Sequence, residues 1–122
     1  ARAAYEMVIT AYSKRDRDTL KALLSTEMYA SFDLSLRDAE QAARLQDTTL
    51  VAIESATITA AKLAGNQATL TVDFVSEQIH LIRDAAGTII EGNPSQQNRV
   101  EDTWLFTRNL TSASPNWTII ET

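Results

Sequence analysis

The strongest constraint on the fold of this chain is a change in the spacing of its apolar residues near Thr48. Before that point apolar residues recur every three or four positions, which is typical of amphipathic helices. From Thr48 onward the period is two and β-branched residues become common, which indicates strands. This order predicts an α+β domain, in which N-terminal helices pack in the concave face of a curved antiparallel sheet.

Three helices are predicted in the first third of the chain. The first ends in the charged segment from Lys14 to Asp18, where Asp16 or Asp18 is suited to cap a short second helix. Ser25 is a good N-cap for a third and longest helix, which is expected to run from about Glu27 to Arg44. The apolar stripe of the first helix contains Tyr5, Val8, Ile9 and Tyr12. The stripe of the third contains Met28, Phe32, Leu36, Ala39 and Ala43.

Five strands are predicted after the helices, over residues 49–62, 67–83, 88–91, 96–108 and 117–121. A Gly-Asn turn at residues 64–67 joins the first two into a hairpin, and a short polar segment with Pro115 precedes the last. The long runs exceed the usual five or six residues, and their inward parity slips near Glu54 and near Val75. These features predict bulges and strong curvature.

Composition narrows the range of functions. A length of 122 residues fits one domain, residues 1–122, and the absence of cysteine excludes disulfides, zinc-thiolate sites and cysteine nucleophiles. His80 is the single histidine, so a two-histidine metal site cannot be built, and neither a metal nor another cofactor is expected. A net charge of −5 argues against nucleic acid as a partner, because that affinity comes largely from Lys and Arg.

The start of the chain also raises an expectation. It begins at Ala1, without methionine and already in a helical pattern, so we expect the C-terminal part of a longer protein. No run approaches the ~18–20 apolar residues that span a bilayer, and no signal peptide is present. Any targeting or anchoring segment is therefore expected upstream.

Three segments of the chain resemble one known family. They are DRDTLKALLSTEMYASF (16–32), FVSEQIHLIRD (74–84) and VEDTWLFTRN followed by PNWTII (100–120). Together they are similar to the C-terminal domain of the forty-four-kilodalton Tim subunit of the mitochondrial inner-membrane translocase and to its bacterial relatives. The resemblance spans nearly the whole chain.

The resemblance implies a non-catalytic adaptor domain in protein translocation or membrane-protein handling. The family's expected partners are a protein client or the translocation machinery, and anionic phospholipid through an N-terminal segment outside this sequence. It implies a location at an inner membrane, peripheral or anchored, with the domain on the cytoplasmic (matrix-equivalent) face. The architecture also resembles the cone-like fold of nuclear transport factor two, in which helices and a bent sheet enclose a pocket.

The expected binding site is an apolar pocket at the open end of this cone. The residues expected to converge there are Tyr5, Tyr12, Phe32, Leu36, Ile79 and Trp104. Such a pocket suits a client segment or a lipid tail, because burial of apolar surface drives binding without charge pairing. The alternative is that these side chains fill the space completely as core. The terminal hairpin is also expected to bring Trp104 and Trp117 together, with Trp104 and Phe106 facing the helices.

An enzyme is the alternative function, because isomerases and dehydratases share the cone-like fold and use a buried Asp as general base. Asp102 has the inward parity of Trp104, and an acid in a closed pocket beside aromatic rings has its charged form disfavoured. A second candidate set is Asp73 with Glu77 or His80. The competing interpretation is that Asp73 and Glu77 lie on a solvated sheet face and His80 is an exposed strand residue.

The main basic cluster also allows two interpretations. It consists of Lys14, Arg15, Arg17 and Lys21, and it could meet phospholipid headgroups. Asp16 and Asp18 offset its charge, so a solvated helix junction is the alternative.

Overall fold

The computed structural model describes residues 1–113 and 116–122, and in them three helices pack on one antiparallel sheet. The helices are α1 (Arg2–Lys14), α2 (Arg17–Leu23) and α3 (Thr26–Gln41). The strands are β1 (Leu45–Ala64), β2 (Gln67–Arg83), β3 (Ile89–Glu91), β4 (Asn98–Asn109) and β5 (Thr118–Glu121). The predicted α+β class is confirmed. The predicted turn residue Pro115 lies outside the described residues.

The helix ends follow from short-range hydrogen bonds and backbone conformation. Asp16 caps α2 and Ser25 caps α3, each side chain accepting a bond from the backbone N–H three residues further on. Helix α3 ends at Gln41, three residues before the predicted end at Arg44. The reason is that Ala43 adopts the left-handed conformation, with φ at 54°, which ends the helical path and turns the chain into β1.

The sheet has the strand order β1-β2-β4-β5, and β3 pairs with the end of β2. The predicted slip near Glu54 is confirmed, because β1 carries a bulge there. The predicted slip near Val75 is wrong: β2 pairs with β4 without interruption from Gln67 to Gln78, so the extra residues belong to β1. The register of β1 shifts between Leu50 and Ala52, between Ile53 and Ser55, and between Ile58 and Ala60. Bulges of this kind bend a sheet.

Strand β1 forms one edge of the sheet, and α1 lies against it. The guanidinium of Arg2 donates a hydrogen bond to the carbonyl of Ile53 (3.2 Å), and the hydroxyl of Ser13 accepts one from the backbone N–H of Thr48 (2.9 Å). The two ends of α1 are thereby tied to backbone groups of the edge strand. These bonds fix the helix over the sheet.

The core lies between α1, α2 and the inner face of the sheet, with an aromatic cluster at its centre. The ring of Tyr5 stacks on Phe74, with centroids 4.3 Å apart, and lies 4.7 Å from Trp104. Trp104 and Phe106 face the helices as predicted, and both are buried. The other core residues are Val8, Ala11, Leu20, Leu24, Leu36, Val72 and Ile119.

The two tryptophans do not form the expected pair. Trp117 comes directly before Thr118, which pairs with Thr107, whereas Trp104 lies three residues before Thr107 on β4. The rings therefore sit at different levels of the hairpin. Trp117 is half-buried against the core, and no contact joins it to Trp104 among the ring pairs of the described residues. The prediction failed because it used proximity to a turn without the strand register.

Candidate functional site

A pocket of about 750 Å³ opens between α1, α3 and the inner face of the sheet. Its volume falls in the range of small-ligand and peptide side-chain pockets. The helices supply Val8, Ile9, Tyr12, Met28, Ser31, Phe32 and Ser35. The remainder of the lining is Gln46, Thr48, Gln78, His80, Leu81, Ile82, Asp102, Trp104 and Thr122. The cone is therefore not filled by its own side chains.

Three of the six residues expected in the pocket line it, namely Tyr12, Phe32 and Trp104. The ring of Tyr5 and the side chain of Leu36 are instead buried in the core beneath. Ile79 follows the inward-facing Gln78 on β2, so strand alternation directs it to the opposite face of the sheet. The predicted set thus contains three lining residues, two core residues and one residue of the outer face.

The walls of the pocket follow from helical spacing. Val8 and Tyr12 are four residues apart on α1, and Met28 and Phe32 are four apart on α3, so each pair lies on one helix face. The rings of Tyr12 and Phe32 meet edge to face with centroids 5.4 Å apart. The hydroxyls of Tyr12 and Ser35 are 2.6 Å apart and hold the two helices together at the rim.

A second depression of about 420 Å³ extends the pocket along α3. The two share Ser31, Ser35, Gln46 and Ile82 in their linings. Leu34, which is 61% exposed, borders the extension. Pocket and extension together form a groove beside α3 that is longer than one side chain.

The floor of the pocket is polar. The hydroxyl of Tyr5 lies 2.6 Å from Oδ2 of Asp102 and 3.0 Å from Oγ of Ser76. Nε2 of Gln78 lies 2.9 Å from both the Tyr5 hydroxyl and Ser76 Oγ. Ser76 and Gln78 are buried, with exposed fractions of 0% and 2%. Buried polar groups of this kind need such partners, because leaving them unpaired is costly.

The hydrogen atoms of this network can be assigned from valence. The Tyr5 hydroxyl has one proton, and a carboxylate can only accept, so that proton goes to Asp102. Every other contact of the Tyr5 oxygen must then be a bond that it accepts. Ser76 therefore donates to Tyr5, and the Gln78 atom facing Tyr5 is the amide nitrogen. Gln78 and Ser76 thus donate to Tyr5, and Tyr5 alone donates to the Asp102 carboxylate.

Burial raises the pKa of Tyr5 to about 12, and the hydrogen bond that its hydroxyl donates to Asp102 acts in the same direction. The contacts with Ser76 and Gln78 oppose this effect but are weaker. Tyr5 is therefore a neutral donor at physiological pH, and its proton is committed to Asp102.

The other acidic candidates lie away from the pocket. Asp73 pairs with Thr103 across the strands and accepts a hydrogen bond from its hydroxyl (2.7 Å). Because Phe74 is the residue opposite Asp102, Asp73 and Asp102 face opposite sides of the sheet. On the outer side, a hydrogen bond with Glu54 raises the pKa of Glu77. Asp73 and Glu77 therefore belong to an outer sheet face and not to one site with Asp102.

His80 lies at the rim of the pocket and is exposed. Its Nδ1 is 3.2 Å from the hydroxyl of Thr48. No hydrogen bond or ion pair joins it to an acidic side chain among the described residues. The geometry does not make it part of a catalytic pair with Asp73.

A comparison of the sequence with protein-family models matches the Tim44-like domain over residues 1–122. The chain belongs to the Tim44-like domain family. This confirms the family resemblance of the three sequence segments. A search of curated proteins gives no match.

The Tim44-like domain is also similar to a solved structure, the intermembrane space region of the chloroplast protein ARC6. The TM-score is 0.54 at 18% identity, and the similarity covers 99% of this chain and 92% of that chain. At this identity the similarity shows the fold. It agrees with the predicted cone-like fold, in which the sheet is curved and not closed.

Sequence reasoning missed the two buried polar residues of the pocket floor. Ser76 and Gln78 share the parity of Val72 and Phe74 on β2, so the alternation alone placed them towards the helices. A polar residue in a core-facing position indicates a hydrogen-bond partner nearby. The alternation of β2 therefore contained the signal for both residues.

Arg17 of the basic cluster is already paired. It contacts Asp33 (2.7 Å) and Glu40 (2.5 Å) of α3, and its guanidinium holds the pKa of both carboxyl groups below their usual values. The ammonium of Lys21 lies 5.3 Å from the centre of the Tyr29 ring. Two of the four cluster residues are thus engaged within the helical layer.

The described part of the chain offers neither a metal site nor a membrane-spanning helix. No group of three or more His, Asp or Glu residues there is arranged to hold a metal ion. No helix there combines the length and apolar character needed to cross a membrane.

Proposed function

We propose that this Tim44-like domain is a non-catalytic adaptor module, which holds an apolar segment of a client protein in the pocket between α1, α3 and the sheet. The observation that carries the proposal is the open pocket itself, with aromatic and aliphatic walls from both helices. Family membership supports the role, because Tim44-like domains are associated with adaptors of membrane protein translocation. The groove beside α3 suits a helical or extended segment.

The affinity expected for such a site is moderate. Each 100 Å² of apolar client surface removed from water contributes roughly 2.5 kcal/mol, and immobilising the client costs several kcal/mol. A client segment of one or two helical turns is therefore bound reversibly. Reversible binding suits an adaptor that receives a client and releases it.

We further propose that the domain acts on the cytoplasmic (matrix-equivalent) face of an inner membrane. Its partners there would be a client protein or the translocation machinery. Contact with anionic phospholipid would be made through a segment outside this sequence. The support is family membership.

The test blocks the pocket with a large side chain. Ser31 is exposed on α3 and lines both the pocket and its extension, so Ser31→Trp fills the groove without changing the core. Ala30→Trp is the matched control, because Ala30 is exposed on the same helix and lines neither depression. Binding of a labelled basic amphipathic peptide is measured by fluorescence anisotropy.

We expect Ser31→Trp to weaken peptide binding at least about tenfold. Ala30→Trp should bind within about twofold of the unmodified domain. Equal affinities for the two variants would show that the binding surface lies elsewhere. Absence of peptide binding at millimolar concentration, together with binding of cardiolipin vesicles that Ser31→Trp abolishes, would assign the pocket to lipid instead.

One observation favours a second candidate, an isomerase or dehydratase with Asp102 as general base. Asp102 lines a pocket and lies 2.6 Å from a tyrosine hydroxyl. Against this function, the proton of Tyr5 is already donated to Asp102 and cannot also polarise a substrate. Turnover of a steroid-like or hydroxylated aromatic compound that Asp102→Asn abolishes would establish the enzyme and overturn the adaptor.

A further inference from the structure

We propose that the floor of the pocket is a cation subsite, where Asp102 and the amide oxygen of Gln78 receive one lysine or arginine side chain of the bound client. The inference rests on the proposed function, since it specifies which client segments the pocket accepts. It predicts a preference for a basic residue in the middle of an apolar face.

The first argument concerns the hydrogen-bond donors and acceptors of the pocket floor. The amide nitrogen of Gln78 donates within the floor, to the oxygens of Tyr5 and Ser76, which both lie 2.9 Å from it. The hydroxyl protons of Ser76 and Tyr5 are used as well, on Tyr5 and Asp102. The polar atoms that remain are acceptors, the second oxygen of Asp102 and the amide oxygen of Gln78. These two acceptors favour a donor as the ligand group that meets the floor.

The second argument is that Asp102 has no counter-charge in the described part of the chain. None of the Lys and Arg residues described comes within ion-pair distance of its carboxylate, although six other such contacts are present. Among the described residues, its one side-chain hydrogen bond comes from the neutral Tyr5. A carboxylate at the base of a partly apolar pocket gains more from a cation than one on an open surface.

The third argument concerns Gln78, which is 98% buried and still lines the pocket. Its amide oxygen accepts no hydrogen bond from the described residues. It is not one of the fully buried, unpartnered side-chain atoms of the described residues, so this oxygen is accessible to a ligand donor. Asp102 and Gln78 together supply two acceptors for one donor head.

The apolar walls of the pocket determine which ligand groups fit beside the charged head. Lysine and arginine carry their charge on a methylene stem, which packs well against apolar side chains such as Val8, Phe32 and Trp104. The net charge of −5 attracts basic segments over a longer range. The occupant that fits both features is an amphipathic client helix with one basic residue within its apolar face.

The test uses three helical peptides that differ in one position. The first has a lysine at the centre of its apolar face, the second has norleucine there, and the third has that lysine moved to the polar face. The first and third have equal charge, so a comparison of their affinities removes the effect of general attraction. We expect the unmodified domain to bind the first peptide about 10- to 100-fold more tightly than either of the others.

The matched variants are Asp102→Asn and Asp73→Asn, which change the net charge equally. Asparagine at 102 still accepts the Tyr5 hydrogen bond, so the fold is expected to persist, whereas Asp73 lies on the outer face. Asp102→Asn should remove the preference for the first peptide, and Asp73→Asn should keep it. The peptide series on the unmodified domain gives the same answer if Asp102→Asn does not fold.

The outcomes separate this inference from the proposed function. Equal binding of all three peptides, still blocked by Ser31→Trp, would overturn the cation subsite and leave the adaptor pocket intact. Equal weakening by Asp102→Asn and Asp73→Asn would also overturn the subsite, because it would indicate long-range attraction only. Binding of no peptide at millimolar concentration would overturn both.

Discussion

At the scale of single residues, Tyr5 joins the core to the pocket. Its ring stacks on Phe74 and touches Trp104, whereas its hydroxyl organises the polar floor through Asp102. One side chain therefore contributes packing on one side and hydrogen bonding on the other. A sequence pattern can assign Tyr5 to an apolar stripe, but it cannot show that the hydroxyl meets a carboxylate 97 positions away.

Tyr5→Phe is expected to keep the ring packing and to lower the free energy of unfolding by about 1–3 kcal/mol at pH 7. The reason is that Ser76, Gln78 and Asp102 each lose a buried partner. Chemical denaturation of both proteins measures the difference. Tyr29→Phe serves as the control, with an expected change below about 0.5 kcal/mol. A loss for Tyr5→Phe no larger than that control would show that the network adds nothing to stability.

The same hydroxyl predicts an alkaline sensitivity. The pKa of Tyr5 is raised from the ordinary value of 10.0 to about 12 in the folded state, so folding favours the protonated hydroxyl. Its contribution to stability is complete below about pH 10 and is lost as the pH rises towards 12. The fall in unfolding free energy between pH 9 and pH 11.5 should therefore be smaller for Tyr5→Phe than for the unmodified domain. Equal pH dependence of the two proteins would contradict the raised pKa.

Trp104→Ala is expected to cost about 3–5 kcal/mol of unfolding free energy, the range for deleting a large buried aromatic. Trp104 is 3% exposed and contacts the rings of Tyr5, Phe74 and Phe106. Urea denaturation is the measurement. A loss below 1 kcal/mol would mean that the surrounding rings move into the space left by the Trp104 side chain. The parallel variant Phe106→Ala measures how readily the same ring cluster rearranges.

At the scale of secondary-structure elements, Arg17 of α2 forms ion pairs with two acidic residues of α3, Asp33 and Glu40, which are seven positions apart. These ion pairs hold α3 in addition to the Tyr12–Ser35 contact with α1. Caps and apolar stripes made the helices predictable, because both depend on neighbours within four residues. The pairing of Arg17 with Asp33 and Glu40 depends on the packing of two helices and was not predictable from the sequence.

Arg17→Gln should destabilise the domain at neutral pH and hardly at all in acid. Arg17 lowers the pKa of Asp33 and Glu40, so the stabilisation exists above their ordinary values of 3.8 and 4.5 and disappears as pH falls through the lowered values. Urea midpoints of both proteins from pH 7 down to pH 3 measure this. Arg37→Gln is the control, since Arg37 is 70% exposed and its one ion pair within the described residues is with Asp33. The ionic explanation would be excluded if the difference in urea midpoint between Arg17→Gln and the unmodified domain stayed constant down to pH 3.

The strands show the same division between local and distant information. The alternation along β2 and β4 predicted correctly that Trp104 and Asp102 face inwards. The placement of Ile79 and Trp117 failed, because it depended on which face reaches the pocket and on the register between β4 and β5. Register is fixed by cross-strand contacts, and a single sequence does not contain them.

At the scale of the whole molecule, packing is uneven along the sheet. Residues 57–67, at the far end of the β1–β2 hairpin, are all exposed, whereas the inward residues of β2 from Val72 to Gln78 are buried under the helices. The pocket opens between α1, α3 and the sheet, with core residues such as Tyr5 beneath it. The pocket therefore lies over the well-packed part of the sheet, and the far tip of the hairpin does not contribute to its lining.

This unevenness predicts a gradient of hydrogen exchange. Amides of β1 from Thr57 to Ala64 are expected to exchange on the order of 100-fold faster than amides of β2 from Val72 to Gln78, because the tip can open without exposing the core. Exchange followed by mass spectrometry of peptic fragments measures the ratio. Equal protection of the two segments would show that another surface covers the tip in solution.

The bulges of β1 have a consequence for behaviour at high concentration. A strand of 20 residues at the edge of a sheet is a template on which a second copy can add a strand and begin an aggregate. The longest run of β1 between register shifts is six residues, from Leu45 to Leu50. Within that run the backbone N–H of Thr48 donates a hydrogen bond to the Ser13 hydroxyl, so it is not available to a second copy. Further along β1, the guanidinium of Arg2 donates a hydrogen bond to the carbonyl of Ile53. Continuous pairing between copies is thus interrupted at several points, and the domain can keep a very long edge strand without growing into a fibre.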